Sequence, residues 1–141
     1  MIDDSRRIAE IASDEGITLC YEFHRDTLTD SAGSTKRLLE SVNHPAMRTY
    51  WQPRAEQTVL RNLRDLRAVL PWLVNVHAFW WTARGERRPL REGWSDWRHF
   101  LDIVRLAGDD RWVLVEFVRG DSPEAFLEDA RTLRQWLNDI F

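Results

Sequence analysis

Hydrophobic positions along the chain alternate between two spacings. Between Ser5 and Gly16, Ile8, Ile11 and Ala12 fall on one helical face, and Gly16 can close the turn. The next stretch, Ile17–His24 (ITLCYEFH), is β-branched and aromatic and reads as a strand. Asp26–Pro45 begins as a polar loop, becomes a helix through Leu38, Leu39 and Val42, and is stopped by Pro45. Met47–Pro53 (MRTYWQP) is a short strand. Arg54–Trp72 returns to helical spacing, with Val59, Leu60, Leu63, Leu66, Val69 and Leu70 in one stripe. Leu73–Trp81 (LVNVHAFWW) is a strand, and Thr82–Gly93 is a basic loop bearing Gly and Pro. Trp94–Gly108 predicts a helix, with Ser95 or Asp96 as its cap, and Arg111–Val118 (RWVLVEFV) a strand. The last helix has a marked start: Ser122 as N-cap, Pro123 in the first turn and Glu124 near the positive dipole end.

The order is one helix followed by four strand–helix units. Such alternation predicts an α/β fold with parallel strands joined by right-handed helical crossovers. No low-complexity linker divides the chain, so a single domain over residues 1–141 is expected.

Side chains alternate across a strand. One face of each strand is nearly all apolar: Leu19, Tyr21 and Phe23; Thr49 and Trp51; Val74, Val76, Ala78 and Trp80; Val113, Val115 and Phe117. That face suits contact with the covering helices. The opposite face carries a polar residue near the C-terminal end of every strand: Glu22, Gln52, His77 and Glu116. In parallel α/β folds ligands bind at those ends. Two carboxylates brought together there repel each other and are costly to bury, and a divalent cation would neutralise them. Imidazole and carboxylate ligands suit Mn, Co, Mg or Zn. The competing reading has each polar residue satisfied singly by backbone or water.

Composition narrows the classes. Hydrophobic residues make up 43% of the 141, enough for a packed core. A net charge of −3 argues against a nucleic-acid backbone as the main partner. With one cysteine, Cys20, there is no intrachain disulfide and no Cys-rich zinc site. The opening MIDDSRRIAEIA lacks the apolar run of a signal peptide, and no stretch approaches the ~20 apolar residues of a membrane span. A soluble cytoplasmic protein is the expectation.

The segments YEFHRDTLTD, YWQP, LVNVHAFWW, RRPLREGWSDW and LVEFVRGDSPEAFLEDA, taken in order, resemble the sugar phosphate isomerase/epimerase superfamily, the xylose isomerase-like TIM barrels. The resemblance implies a partial TIM barrel corresponding to the C-terminal half. Its metal ligands would be Glu22, Gln52, His77 and Glu116. Gln52 departs from the family's Asp and lowers the expected metal affinity. The resemblance also implies Glu22 and Glu116 as catalytic acid and base next to the carbonyl of a sugar or polyol substrate. Arg87 or Arg88 would contact substrate oxygens. His24 can touch substrate or merely cap the strand end, and Phe79 can wall the pocket.

Trp80 and Cys20 are expected in the core, and His44 and His99 at the surface or in helix packing. Thr29 and Asp30 can bind a hydroxyl or serve the turn. A whole barrel takes ~250 residues. Half of one needs two copies to pair, or a separate first half, or else is a truncated product. The rival functions are a degenerate half without catalysis and, last, phosphodiester cleavage like that of endonuclease IV-type repair enzymes.

Overall fold

The structure, a computed structural model, describes residues 1–141. Five helices and four main strands follow the expected order: α1 (Ile2–Asp14), β1 (Leu19–Tyr21), α2 (Ala32–Val42), β2 (Met47–Trp51), α3 (Val59–Val69) and β3 (Leu73–Ala78). A small antiparallel pair comes next, β4 (Trp80–Trp81) with β5 (Arg87–Arg88), then α4 (Trp94–Leu106), β6 (Trp112–Val115) and α5 (Pro123–Ile140). The sheet order is β1-β2-β3-β6, parallel throughout. Helical crossovers join β1 to β2, β2 to β3 and β3 to β6, the topology of a partial TIM barrel.

The apolar strand face lies under the helices. Trp51, Val76 and Ala78 are fully buried in one cluster with Leu66, Trp97, Phe100 and Leu101. A smaller cluster sets Leu38, Leu39 and Val42 of α2 against Met47 of β2 and Ala9 of α1. Capping decides several boundaries. Gly16, at φ +66°, lets the Ile17 and Gly16 N–H groups bond the Ala12 and Ser13 carbonyls, a Schellman close to α1. The Ser122 hydroxyl accepts from the Ala125 N–H at 3.1 Å and starts α5 as expected.

Four expectations are corrected. Ile8 and Ile11 do not face this core: they are 54% and 56% exposed, and α1 packs instead through Ser5, Ala9 and Ala12. The third helix begins at Val59 rather than Arg54, because Thr58 caps it, and Leu60 is exposed. Neither Ser95 nor Asp96 caps α4, whose first turn continues from the 3-10 turn Leu90–Gly93. Phe117 breaks the strand alternation. Its φ of +52° turns it away from the face of Val113 and Val115.

Candidate metal centre

The four strand ends gather their polar side chains around one imidazole nitrogen. Nδ1 of His77 lies 3.2 Å from Gln52 Oε1, 3.2 Å from Glu116 Oε2 and 4.0 Å from Glu22 Oε1. The parallel register explains the convergence. His77 sits at the end of β3, the strand between β2 and β6, and Gln52 and Glu116 follow those neighbours immediately. Glu22 follows the edge strand β1.

Local bonds hold each side chain in place. The Glu116 N–H bonds the Ala78 carbonyl at 3.0 Å, extending the β3–β6 ladder by one residue. The Thr29 hydroxyl donates to the Glu22 carbonyl, and Thr49 Oγ1 donates to the Tyr21 carbonyl at 2.9 Å. Thr29 therefore serves the turn rather than presenting a free hydroxyl. Asn62 grips both backbone groups of Arg54, accepting from its N–H at 3.0 Å and donating to its carbonyl at 3.1 Å, and so fixes the loop after Gln52. Tyr50 sets its ring edge-on to His77, centroids 5.0 Å apart.

The oxygen count around His77 is the test of fit for a metal. A single imidazole nitrogen can satisfy one oxygen by a hydrogen bond, yet three converge on it. Glu116 Oε2 is buried with no hydrogen-bond partner. Such an orphaned acceptor is destabilising unless something positive meets it. One ligand atom each from Glu22, His77 and Glu116 lie within 4.8 Å of one another. Two carboxylates, an imidazole and an amide oxygen form a donor set suited to a divalent cation, and the residues present fit one.

Beside this cluster a cleft of about 180 Å³ opens between the loops after β1 and β2, with Trp81 and Phe117 on its far wall. His24 lines it, its Nδ1 2.8 Å from the Arg25 carbonyl oxygen. Phe79 does not wall the cleft directly. It is 7% exposed and packs against the Trp81 and Phe117 rings that do. The Arg87 guanidinium carbon stands 5.4 Å from the Phe117 ring centroid and 5.8 Å from that of Trp81, and the side chain is anchored by Asp121 and the Val118 carbonyl. Arg88 is held apart from this group, its hydrogen bonds running to Glu86 and Glu92. Trp81, Phe117, Asn62 and Tyr50 join the site without a sequence motif of their own. The only available signal was the aromatic run after His77.

Cys20 is half-buried on the inner sheet face rather than in the core; burial pushes its thiol pKa up, against the pull of Arg48, so it is a poor nucleophile. His44 accepts the Ala46 N–H at 3.2 Å in a turn, and His99 is exposed. Trp80 packs on the core and is partly buried.

A parallel sheet roofed by crossover helices, with carboxylates and an imidazole at the strand C-termini, defines part of a TIM barrel with a ligand-bearing rim. The chain belongs to the xylose isomerase-like TIM barrel family, which it matches over residues 1–137. Among solved structures it is similar to a xylose isomerase-like TIM barrel protein from Mycobacterium smegmatis in complex with magnesium, with TM-score 0.79 and 18% identity over 99% of this chain and 50% of that one. The probable 3-DHS dehydratase AsbF of Bacillus anthracis gives TM-score 0.76 and 21% identity, over 94% of this chain and 55% of that one. The D-psicose 3-epimerase of Clostridium cellulolyticum, solved with D-tagatose, gives TM-score 0.65 and 14% identity, over 99% and 54%. The chain thus spans about half the length of the solved structures it matches. No curated protein matches it in sequence. No helix is long and apolar enough to cross a membrane.

Proposed function

We propose that this chain carries the metal-binding and proton-transfer rim of a sugar isomerase or epimerase, acting next to a carbonyl of a sugar or polyol-derived substrate. The convergence of three side-chain oxygens on His77 Nδ1 carries the reading. Glu22, Gln52, His77 and Glu116 would hold a divalent cation such as Mn, Co, Mg or Zn. When bound, such an ion supplies Lewis-acid polarisation of the carbonyl and the neighbouring hydroxyl oxygen.

The two carboxylates divide the proton work. One takes the proton from the carbon beside the carbonyl, and the electron pair left behind moves toward the carbonyl oxygen. The other returns a proton from the opposite side. Glu22 and Glu116 follow the sheet's two edge strands and both approach His77 Nδ1, at 4.0 and 3.2 Å, which supports giving each carboxylate one of the two roles. His77 orients rather than transfers. The cleft beside them offers Trp81 and Phe117 as an apolar wall, with His24 at its mouth and Arg87 poised over the aromatic pair.

One departure favours a second reading, a half barrel that has lost catalysis. Gln52 brings a neutral oxygen where the family places a carboxylate, and the chain spans half of its structural neighbours. Phosphodiester cleavage fits less well. The structure has a single cluster of three metal-ligating side chains, and the net charge is −3.

Incorporation of deuterium from D2O beside the carbonyl of a ketose such as D-tagatose tests the proposal, with Mn present and with a complementary half-barrel supplied. Exchange by the parent protein and none by the Glu22→Gln and Glu116→Gln variants is the expected pattern. Equal exchange in all three would reject the two roles.

A further inference from the structure

Glu22 is the least constrained of the rim ligands. It follows β1, a strand of three residues that pairs with β2 alone. Its side chain is 48% exposed, against 25% for Glu116 and 13% for His77, and it stands 4.0 Å from His77 Nδ1 where Glu116 stands at 3.2 Å. The position of this carboxylate therefore depends on how its own backbone is held. The Thr29 hydroxyl donates to the Glu22 carbonyl, and Thr29 itself is buried. The next residue, Asp30, is where a second loop takes hold.

Arg54 makes that hold. It lies two residues after Gln52, and its Nη1 reaches back 24 positions to donate to the Asp30 carbonyl at 2.8 Å. The rest of the residue is locked. Nε and Nη2 both reach Glu56 Oε1 at 2.8 Å, and Asn62 bonds the Arg54 N–H and carbonyl. A guanidinium carries its donors in fixed directions, so a carboxylate can pin one side of the fork while the other side spans a gap. A lysine has a compact head in place of the fork and can meet one of these partners without bridging both. The path from one ligand to the other is short and continuous: Gln52, Arg54, Asp30, Thr29, Glu22.

We propose that Arg54 is a positioning residue for the metal centre: it braces the loop after Glu22 against the loop after Gln52 and so sets the separation of these two ligands. This rests on the reading of the strand ends as a cation pocket and adds to it a residue that supplies no ligand atom. Arg54 also lines the cleft. Bracing is distinct from substrate contact, because it acts before any substrate binds.

Titration of the intact chain with MnCl2, no sugar present, and hydrogen exchange of the metal-free chain test this together. Arg54→Lys keeps a cation beside Glu56 and should keep the parent melting temperature. Its Thr29 and Ser31 amides should exchange about tenfold faster while those of α3 are unchanged. It should bind Mn about tenfold more weakly, in the range for groups that orient metal ligands. Thr29→Val cuts the same path at its other end and should weaken Mn by a similar factor. Because both residues lie on one path, the double variant should bind little more weakly than either single one, whereas independent effects would multiply to about a hundredfold. Multiplying effects would overturn the proposal, and so would unchanged exchange at Thr29 and Ser31 in Arg54→Lys. A parent chain that binds no Mn would overturn the cation pocket itself, and the exchange pattern alone then decides whether Arg54 braces the two loops.

Discussion

Nδ1 of His77 lies 3.2 Å from Oε2 of Glu116, a buried oxygen that no donor satisfies. Gln52 Oε1 occupies a second position 3.2 Å from the same nitrogen. Two acceptors competing for one ring nitrogen make the rim short of positive charge, and the deficit sets the behaviour expected of its variants.

Gln52→Asp is the clearest gain-of-affinity change. It replaces a neutral amide oxygen by a carboxylate at the same strand end, and hard divalent cations favour anionic oxygen. We expect Mn affinity, read by isothermal titration, to rise about tenfold, equal to about 1.4 kcal/mol. The metal-free protein should lose stability, because a third carboxylate then faces Glu22 and Glu116.

Asp129 makes a separate pH dependence. It is buried on α5 and accepts the Leu90 N–H at 2.8 Å, tying the loop after β5 to that helix. Burial pushes its carboxyl pKa up, against the pull of the Leu90 N–H, Arg119 and Arg91. The folded state therefore holds this proton more tightly than the unfolded chain. Its contribution to stability is fully present below the unfolded value and declines as pH rises through the raised one. Urea denaturation from acid toward neutral pH should show this decline in the parent and a flatter profile in Asp129→Asn. Asp129→Ala leaves the Leu90 N–H without an acceptor and should cost about 1–3 kcal/mol.

Gly93 has no room for a side chain. A Cβ there would stand 2.6 Å from the Trp80 ring and 2.9 Å from that of Trp97. Trp97 Nε1 in turn donates to the Phe79 carbonyl at 2.9 Å, bracing the chain just after His77. Gly93→Ala should destabilise by about 1–3 kcal/mol through overpacking, measurable as a lower urea midpoint. It should also weaken Mn binding, because the brace behind His77 shifts.

Strand parity and the rule that ligands gather at parallel strand ends were enough to pick Glu22, Gln52, His77 and Glu116 from the sequence, since both depend only on local order. Phe117 escaped the same reasoning because parity assumes an extended backbone, and its positive φ ends that assumption one residue after Glu116. Ile8 and Ile11 misled for a different reason. The apolar spacing marks a helical face, but α1 meets its neighbours through the small residues Ser5, Ala9 and Ala12 instead. Asn62 and Thr29 sit at polar positions with no period of their own. Their grip on the loops after Gln52 and Glu22 depends on tertiary neighbours.

Calorimetric titration of the intact chain with Mn, beside Glu116→Gln and His77→Ala, tests the shared cation pocket most directly. One saturable site in the parent, weakened at least tenfold in both variants while their melting temperatures stay near or above the parent's, is the predicted result. Binding that is absent in the parent, or equal in all three proteins, would contradict a metal centre at these strand ends.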